Sequence, residues 1–394
     1  MRNFGFYAPT EIIFGKDTEL KVAEAVKKWG GTRVFIVYGG GSVVRSGLLE
    51  RVKQTLTDAG LVYDEIGGVK PNPRLSLAEE GVKKAYAFGA DFVLAVGGGS
   101  VIDTATGIAI GACYPDENLW DIWTKKVPVE KNLPLGSILT IAAAGSEMSG
   151  SAVLTNEETG KKTGLGLPLN RPKFAIMNPE LTYSLPKYQI ACGVVDIMMH
   201  TLERYFTLGT GSHMMTDEIA EGLLRTVSVC GTKATEDSSN YDAMSEIMWC
   251  GSLSHNDLTG LGIGRDFSVH KFGHELSAMF DVAHGASLSA IWPTWARHVC
   301  ATDYARFKRL GEKVWGLQIE DEKEAALAAI DATEAYFKSI GMPVSIGELE
   351  CGVLSEDVLK ELAERTTNYG KIKIGEFYPI DTDEVYAIYK KANF

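Results

Sequence analysis

The stretch DFVLAVGGGSVIDTATGIAIGA, residues 91–112, decides the fold. An apolar run ending at Val96 meets the turn Gly97-Gly98-Gly99-Ser100, and a further run with helical character follows to Ala112. This is strand, glycine-rich turn, helix. The same order occurs upstream in TRVFIVYGGGSVVRSGLLERVKQTLTDAG, residues 32–60, with a strand from Val34 to Tyr38 and a helix from about Gly47 to Ala59. LVYDEIG at 61–67 predicts another strand, followed by the loop VKPNPR and a helix from Leu75 to Phe88. Alternating strands and helices of these lengths predict a parallel sheet with helices on both faces.

Around this unit the pattern is less regular. Residues 4–14 alternate apolar and polar about Pro9 and predict a short hairpin, and Lys16–Trp29 predicts a helix stopped by Gly30-Gly31. LGSILTIAAAGSEMSGSAVLT after Pro134 predicts a strand and a loop of small hydroxylated residues, suited to lining a ligand crevice. The chain stays strand-and-loop to Pro186. Beyond it, helical periodicity takes over at 188–206, 215–230, 241–257, 266–279, 303–316, 322–340 and 355–365, with one last helix at the C-terminus. The expected organisation is therefore an α/β Rossmann-like dinucleotide-binding domain, 1–186, and an all-α domain, 187–394. A chain of 394 residues calls for two cores.

Two GGGS turns at the carboxyl ends of apolar strands point to a nucleotide. Glycines let phosphate oxygens approach the backbone amides, and the helix beginning near Val101 offers its free N–H groups to a pyrophosphate. In the helical half, GIGRDFSVHKFGHELSAMFDVAHGASLS at 262–289 holds three of the seven histidines, His270, His274 and His284. The first two are spaced i, i+4 and share one helix face. GVVDIMMHTLE at 193–203 offers Asp196 and His200 at the same spacing. Imidazoles with one carboxylate suit a divalent transition metal, Fe(II) or Zn(II). Spacing alone leaves His270 and His274 interchangeable. His213, His255 and His298 belong to no motif and are expected at the surface or in caps.

Composition narrows the class. Hydrophobic content of 45% and charged content of 23% are those of a globular protein, and the net charge of −12 argues against nucleic acid or an anionic membrane as partner. The six cysteines are scattered without paired spacing, which fits reduced thiols. No secretory leader or membrane-spanning run is read, so a cytoplasmic location is expected.

Taken together, GGGSVID (97–103), AGSEMS (144–149), NPELTYSLP (178–186), GVVDIMMHTLE (193–203) and HKFGHELSAMFDVAHG (270–285) resemble the iron-containing (group III) alcohol dehydrogenases over essentially the full length. The butanol dehydrogenase and aldehyde reductase branch is the most similar. The resemblance implies metal ligands at Asp196, His200, His270 and His284, with His274 on the substrate side; four residues from a ligand, His274 is a candidate proton relay or, equally, a histidine packed behind the ligands. It implies a nicotinamide held by Gly40, Gly41, Ser42, Asn72, Gly98, Gly99, Ser100, Asp103, Thr140, Ser149 and Lys162, with the active site in a cleft between domains. The implied activity is reversible hydride transfer between the cofactor and a primary alcohol or aldehyde, in a homodimer. Polyol or polyol-phosphate dehydrogenases and the lyase dehydroquinate synthase share the architecture and form the alternative.

Two residues depart from the family pattern, Asn178 in place of Asp and Ala144 in place of Thr. The coenzyme expectation is NADP(H). An NAD-selective site places an acid at the end of the strand beside the adenosine ribose. Here the strand runs from Tyr38 into Gly39, Gly40, Gly41 and Ser42, with no acid until Glu50. In the resembling family an Asp at the position of Gly41 goes with NAD, and Gly followed by Ser with NADP. Asn72 and Arg45 are further candidate contacts.

Overall fold

The computed structural model describes residues 1–394 except Ala144, Gly209 and Thr210. The family departure at position 144 therefore lies outside the described residues. The chain divides into two compact units, Tyr7–Leu185 and Pro186–Phe394 together with Met1–Phe6.

In the first unit the order is β1 (Glu11–Phe14), α1 (Val22–Lys28), β2 (Arg33–Gly39), α2 (Ser42–Arg45), α3 (Leu48–Asp58), β3 (Val62–Val69), α4 (Leu75–Phe88), β4 (Phe92–Gly97), α5 (Gly99–Gly111), α6 (Leu119–Trp123), β5 (Leu135–Leu139), β6 (Ser151–Asn156), β7 (Lys161–Gly166) and β8 (Phe174–Met177). Six strands form one sheet in the order β1-β8-β5-β4-β2-β3, every pair parallel. All six residues of β4 are buried, because a parallel sheet is covered on both faces. Val34 and Ile36 of β2 pack with α1 and α3 through Val22, Val26, Leu49, Val52 and Leu56. On α5, Ile110 joins a second core with Ala78 of α4, Trp123 of α6 and Leu154 of β6. β6 and β7 form a separate antiparallel ribbon.

The chain goes from β2 outward to β3, then returns to the other side of β2 for β4 and continues away through β5 and β8. The topological switch point thus lies between β2 and β4, the strands that carry the two GGGS turns. In open α/β sheets, ligands bind at the carboxyl edge of such a point.

The predicted hairpin at 4–14 does not form. Only Glu11–Phe14 is a strand, and it runs parallel to β8, with Glu11 N–H donating to Lys173 O at 3.0 Å. Met1–Phe6 groups with the helical unit instead of with residues 7–185. Arg2 explains this: its N–H donates to Gly262 O at 2.8 Å, and its guanidinium reaches Glu376 at 3.1 Å and Leu208 O at 3.0 Å.

The second unit contains α7 (Lys187–Tyr205), α8 (Met214–Glu236), α9 (Tyr241–His255), α10 (Ser268–Phe280), α11 (His284–Val299), α12 (Tyr304–Leu310), α13 (Glu322–Ser339), α14 (Glu356–Thr366) and α15 (Thr382–Ala392). The helix α11 was not among the periodic segments. Residues 285–293 are all buried, so no polar face alternates with an apolar one, and Pro293 sits inside the helix. Two glycines set the close approaches of α7, α10 and α11. A Cβ on Gly285 would strike the Cys192 backbone of α7, and one on Gly273 of α10 would meet Ser287 Oγ at 2.7 Å and Leu288 Cδ2 at 2.8 Å. Among the described residues no helix is long and apolar enough to cross a membrane.

Candidate metal centre and dinucleotide site

Asp196 and His200 lie one turn apart on α7, His270 lies in the first turn of α10, and His284 opens α11. Three imidazole Nε2 atoms surround Asp196 Oδ1: His200 at 3.4 Å, His270 at 3.7 Å and His284 at 3.9 Å. Ligand atoms bound tetrahedrally at ~2.1 Å stand roughly 3.4 Å apart, so this spacing is that of a coordination shell. Asp196, His270 and His284 can each offer one ligand atom with all three atoms within 4.8 Å of one another. Asp196, His200 and His270 are each only 5% exposed. Asp196 Oδ1 and His270 Nε2 are buried without a hydrogen-bond partner among the described residues. Buried lone pairs of this kind are unfavourable unless something answers them, and a convergent carboxylate with imidazoles suits a divalent cation. The donor set therefore fits the group that the resemblance implies.

His274, one turn beyond His270, is half-buried. Its ring stacks on His284 with centroids 5.3 Å apart and lies 6.1 Å from the His270 ring. The two histidines that spacing left interchangeable thus have different neighbours: His270 Nε2 meets Asp196, and His274 meets the face of His284.

Three neighbours of the centre were missed in the sequence. Glu203 of α7 is fully buried, and its two oxygens accept from His270, from the backbone N–H at 3.1 Å and from Nδ1. Burial opposes a charge on His270, but Glu203 and Asp196 hold its pKa up at about 9 in the protein without a cation. His255, expected in a cap or at the surface, ends α9 with its ring 3.9 Å from that of His200. Arg204 donates to His200 O at 2.6 Å and lies 3.1 Å from His255 Nδ1. Burial, with His255, His270 and Arg204 nearby, pushes His200 well below its ordinary pKa and keeps it neutral, as a ligand must be. The i, i+4, i+7 spacing of Asp196, His200 and Glu203 is the signal that could have found the glutamate. His255 comes from another helix and leaves no local signal.

The dinucleotide candidates lie in the α/β unit. β4 ends at Gly97, and α5 starts at Gly99 with Gly98 as its N-cap and Ser100 in its first turn. A Cβ on Gly97 would strike Val101 at 2.5 Å, and Cβ atoms on Gly98 and Gly99 would press on Ile141 at 3.1 Å and Ser146 Oγ at 3.0 Å, so the turn is packed closely around its glycines. At the other turn Gly40 and Ser42 are exposed, and Gly41 adopts φ +123° before α2. Lys162 Nζ donates to Asn72 Oδ1 at 2.9 Å, bringing two of the candidates together from β7 and the loop before α4. Asn72 itself is buried with φ +54°. Thr140 N–H donates to Gly97 O at 3.1 Å and ties its loop to the same turn. Two candidates carry structural bonds: Asp103 Oδ2 accepts from Val153 N–H at 3.1 Å, holding the ribbon on α5, and Ser149 Oγ accepts from Ser151 N–H at 2.9 Å.

The Asn178 departure has a physical explanation. Asn178 is buried, its Nδ2 donates to buried Glu19 Oε2 at 3.0 Å, and its Oδ1 accepts from Glu180 N–H. An Asp here would set two buried carboxylates against each other.

Residues 9–179 match the family profile described as iron-containing alcohol dehydrogenase, and residues 190–393 match that of the Fe-containing alcohol dehydrogenase family, C-terminal. The chain is 39% identical to NADH-dependent butanol dehydrogenase A of Clostridium acetobutylicum, over 100% of both chains. It is 35% identical, again over 100% of both, to the NADPH-dependent aldehyde reductase YqhD of Escherichia coli. Its structure superposes on the crystal structure of NADH-dependent butanol dehydrogenase A from Thermotoga maritima with a TM-score of 0.95 at 35% identity, covering 100% of this chain and 99% of that one. With both halves matched and relatives this similar along its whole length, the chain belongs to the iron-containing alcohol dehydrogenase family.

Proposed function

We propose that the protein catalyses reversible hydride transfer between NADP(H) and primary alcohols or aldehydes at a divalent metal, Fe(II) or Zn(II), held by Asp196, His200, His270 and His284. The observation that carries this reading is the ring of three Nε2 atoms around the buried Oδ1 of Asp196. When bound, the cation supplies Lewis-acid polarisation of the substrate oxygen and the nicotinamide supplies or takes up the hydride. The chain's residues do the rest. Asp196 and neutral His200 form a −1 donor set with His270 and His284, so a divalent cation keeps net positive charge. His274, half-buried beside His284, is positioned to give a proton to the product oxygen or to take one from it. Gly97–Gly99 and the first turn of α5 receive the pyrophosphate. The direct test is cofactor oxidation with butanal present, set against a phosphorylated keto-acid. Turnover of the latter alone would favour the polyol-phosphate or synthase alternative.

For the coenzyme, the names of the relatives divide between NADH and NADPH. NADP(H) is supported by the acid-free end of β2 and by Arg45, whose Nη1 would lie 3.1 Å from a Cβ on Gly41. An aspartate at position 41 would be strained by the local φ of +123°, so Arg45→Ala is the cleaner probe. Arg45→Ala should lower the kcat/KM preference for NADPH over NADH about tenfold, ~1.4 kcal/mol. A wild-type enzyme that prefers NADH contradicts the assignment.

A further inference from the structure

We propose that Glu203 is a positioning residue of the metal centre, fixing His270 with its proton on Nδ1 and its Nε2 lone pair turned to the cation. The inference rests on the divalent-metal reading and deepens it, because Glu203 acts through His270. Three carboxylate or imidazole residues share one face of α7 at i, i+4 and i+7: Asp196, His200 and Glu203. The first two are one turn apart at the centre. The third reaches past it to the start of α10.

Both Glu203 oxygens are spent on one residue 67 positions away: Oε1 accepts the His270 backbone N–H at 3.1 Å and Oε2 meets Nδ1. The main chain adds to this, since Asp266 N–H donates to Glu203 O at 2.8 Å. A fully buried carboxylate is an acceptor, so the ring nitrogen facing it must carry hydrogen. The proton a cation can displace is then the one on Nε2, the atom 3.7 Å from Asp196 Oδ1 that has no hydrogen bond among the described residues. His200 offers the contrast. Its Nδ1 is buried without a hydrogen-bond partner, and what fixes this residue is the ring of His255 and the bond from Arg204 to its carbonyl. His270 is therefore, in contrast to His200, a proposed ligand whose tautomer is set by a hydrogen bond, and the carboxylate behind it makes the imidazole a better donor.

An amide cannot substitute. His270 presents two donors, and a glutamine offers one oxygen and one NH₂, so one donor would face another. The test titrates Zn(II) alone into chelator-stripped protein against a competing chromophoric chelator, for wild type, Glu203→Gln and Glu203→Asp. Far-UV circular dichroism and thermal unfolding of the metal-free forms are recorded alongside. We expect Glu203→Gln to bind Zn(II) about 10- to 100-fold more weakly with its fold retained, and Glu203→Asp to fall between. Affinity within about threefold of wild type in Glu203→Gln, whatever its melting temperature, reduces the residue to a packing role and overturns the proposal. If the amide variant does not fold, Glu203→Asp carries the test, and wild-type affinity there overturns it equally. Wild-type protein that takes up no Zn(II) is a distinct result: it overturns the metal reading itself.

Discussion

Asp217 and Glu221 on α8 meet Arg306 and Arg309 on α12 in a network of bonded ion pairs, whereas Asp196 Oδ1 and His270 Nε2 converge without a hydrogen-bond partner among the described residues. In the first cluster Arg306 grips Asp217 with two bonds of 2.9 and 2.6 Å and stacks 3.5 Å from the Tyr205 ring centroid. Arg309 donates to Glu221 at 2.5 and 3.1 Å, and Tyr205 Oη donates to the same carboxylate at 2.9 Å. Each of the two buried carboxylates thus meets a guanidinium, and Arg309 also reaches Glu218 at 3.5 Å. In the second cluster the donors point at one another, 3.4 to 3.9 Å apart, and lone pairs remain over. Both clusters touch α7. The difference teaches how to tell a structural cluster from a candidate ligand site: a saturated network needs nothing further, and an unsaturated convergent one is the kind that a proposed cation would complete.

Removing one partner from the saturated network should have the largest effect on stability. Asp217→Ala leaves the half-buried Arg306 with its bond to Tyr205 O but without its carboxylate, and should lower the unfolding free energy by about 3 kcal/mol with bound metal unchanged in the folded fraction. Urea melts paired with metal analysis check this, and a variant as stable as wild type would erase the distinction between the clusters.

A smaller effect is expected beside the unsaturated centre. His274→Ala should keep its metal and lower the rate about a hundredfold, since its proposed work concerns the proton and not the cation. Loss of metal from this variant, measured by elemental analysis, would mean that His274 and not His270 is the ligand.

Much of this organisation is legible in the sequence, for physical reasons. Strand, glycine turn and helix follow from local pattern, and α4 spans Leu75–Phe88 as its periodicity predicts. The hidden parts are those where tertiary contact overrides pattern. Residues 285–293 of α11 are all buried and so show no amphipathic stripe, and the N-terminal segment takes its place from Arg2 contacts with residues more than 200 positions away. At the site, the i, i+4 pairs named the residues that the structure brings around Asp196 Oδ1. Proposing His270 over His274 as the ligand rested on the resemblance, and Glu203 was not singled out because its partner lies on another helix. His255 was hidden in the same way.

The most direct measurement is elemental analysis of the purified protein beside Asp196→Ala, each after reconstitution with Fe(II) or Zn(II) and desalting. Asp196 Oδ1 is the atom around which the three Nε2 atoms gather, so its removal should dismantle the centre while α7 keeps its apolar face. The account predicts about one equivalent of divalent metal per chain in wild type, and less than about a tenth of that in the variant, with unaltered far-UV circular dichroism. Wild-type protein that retains no metal, or an Asp196→Ala variant that keeps a full equivalent, would contradict it.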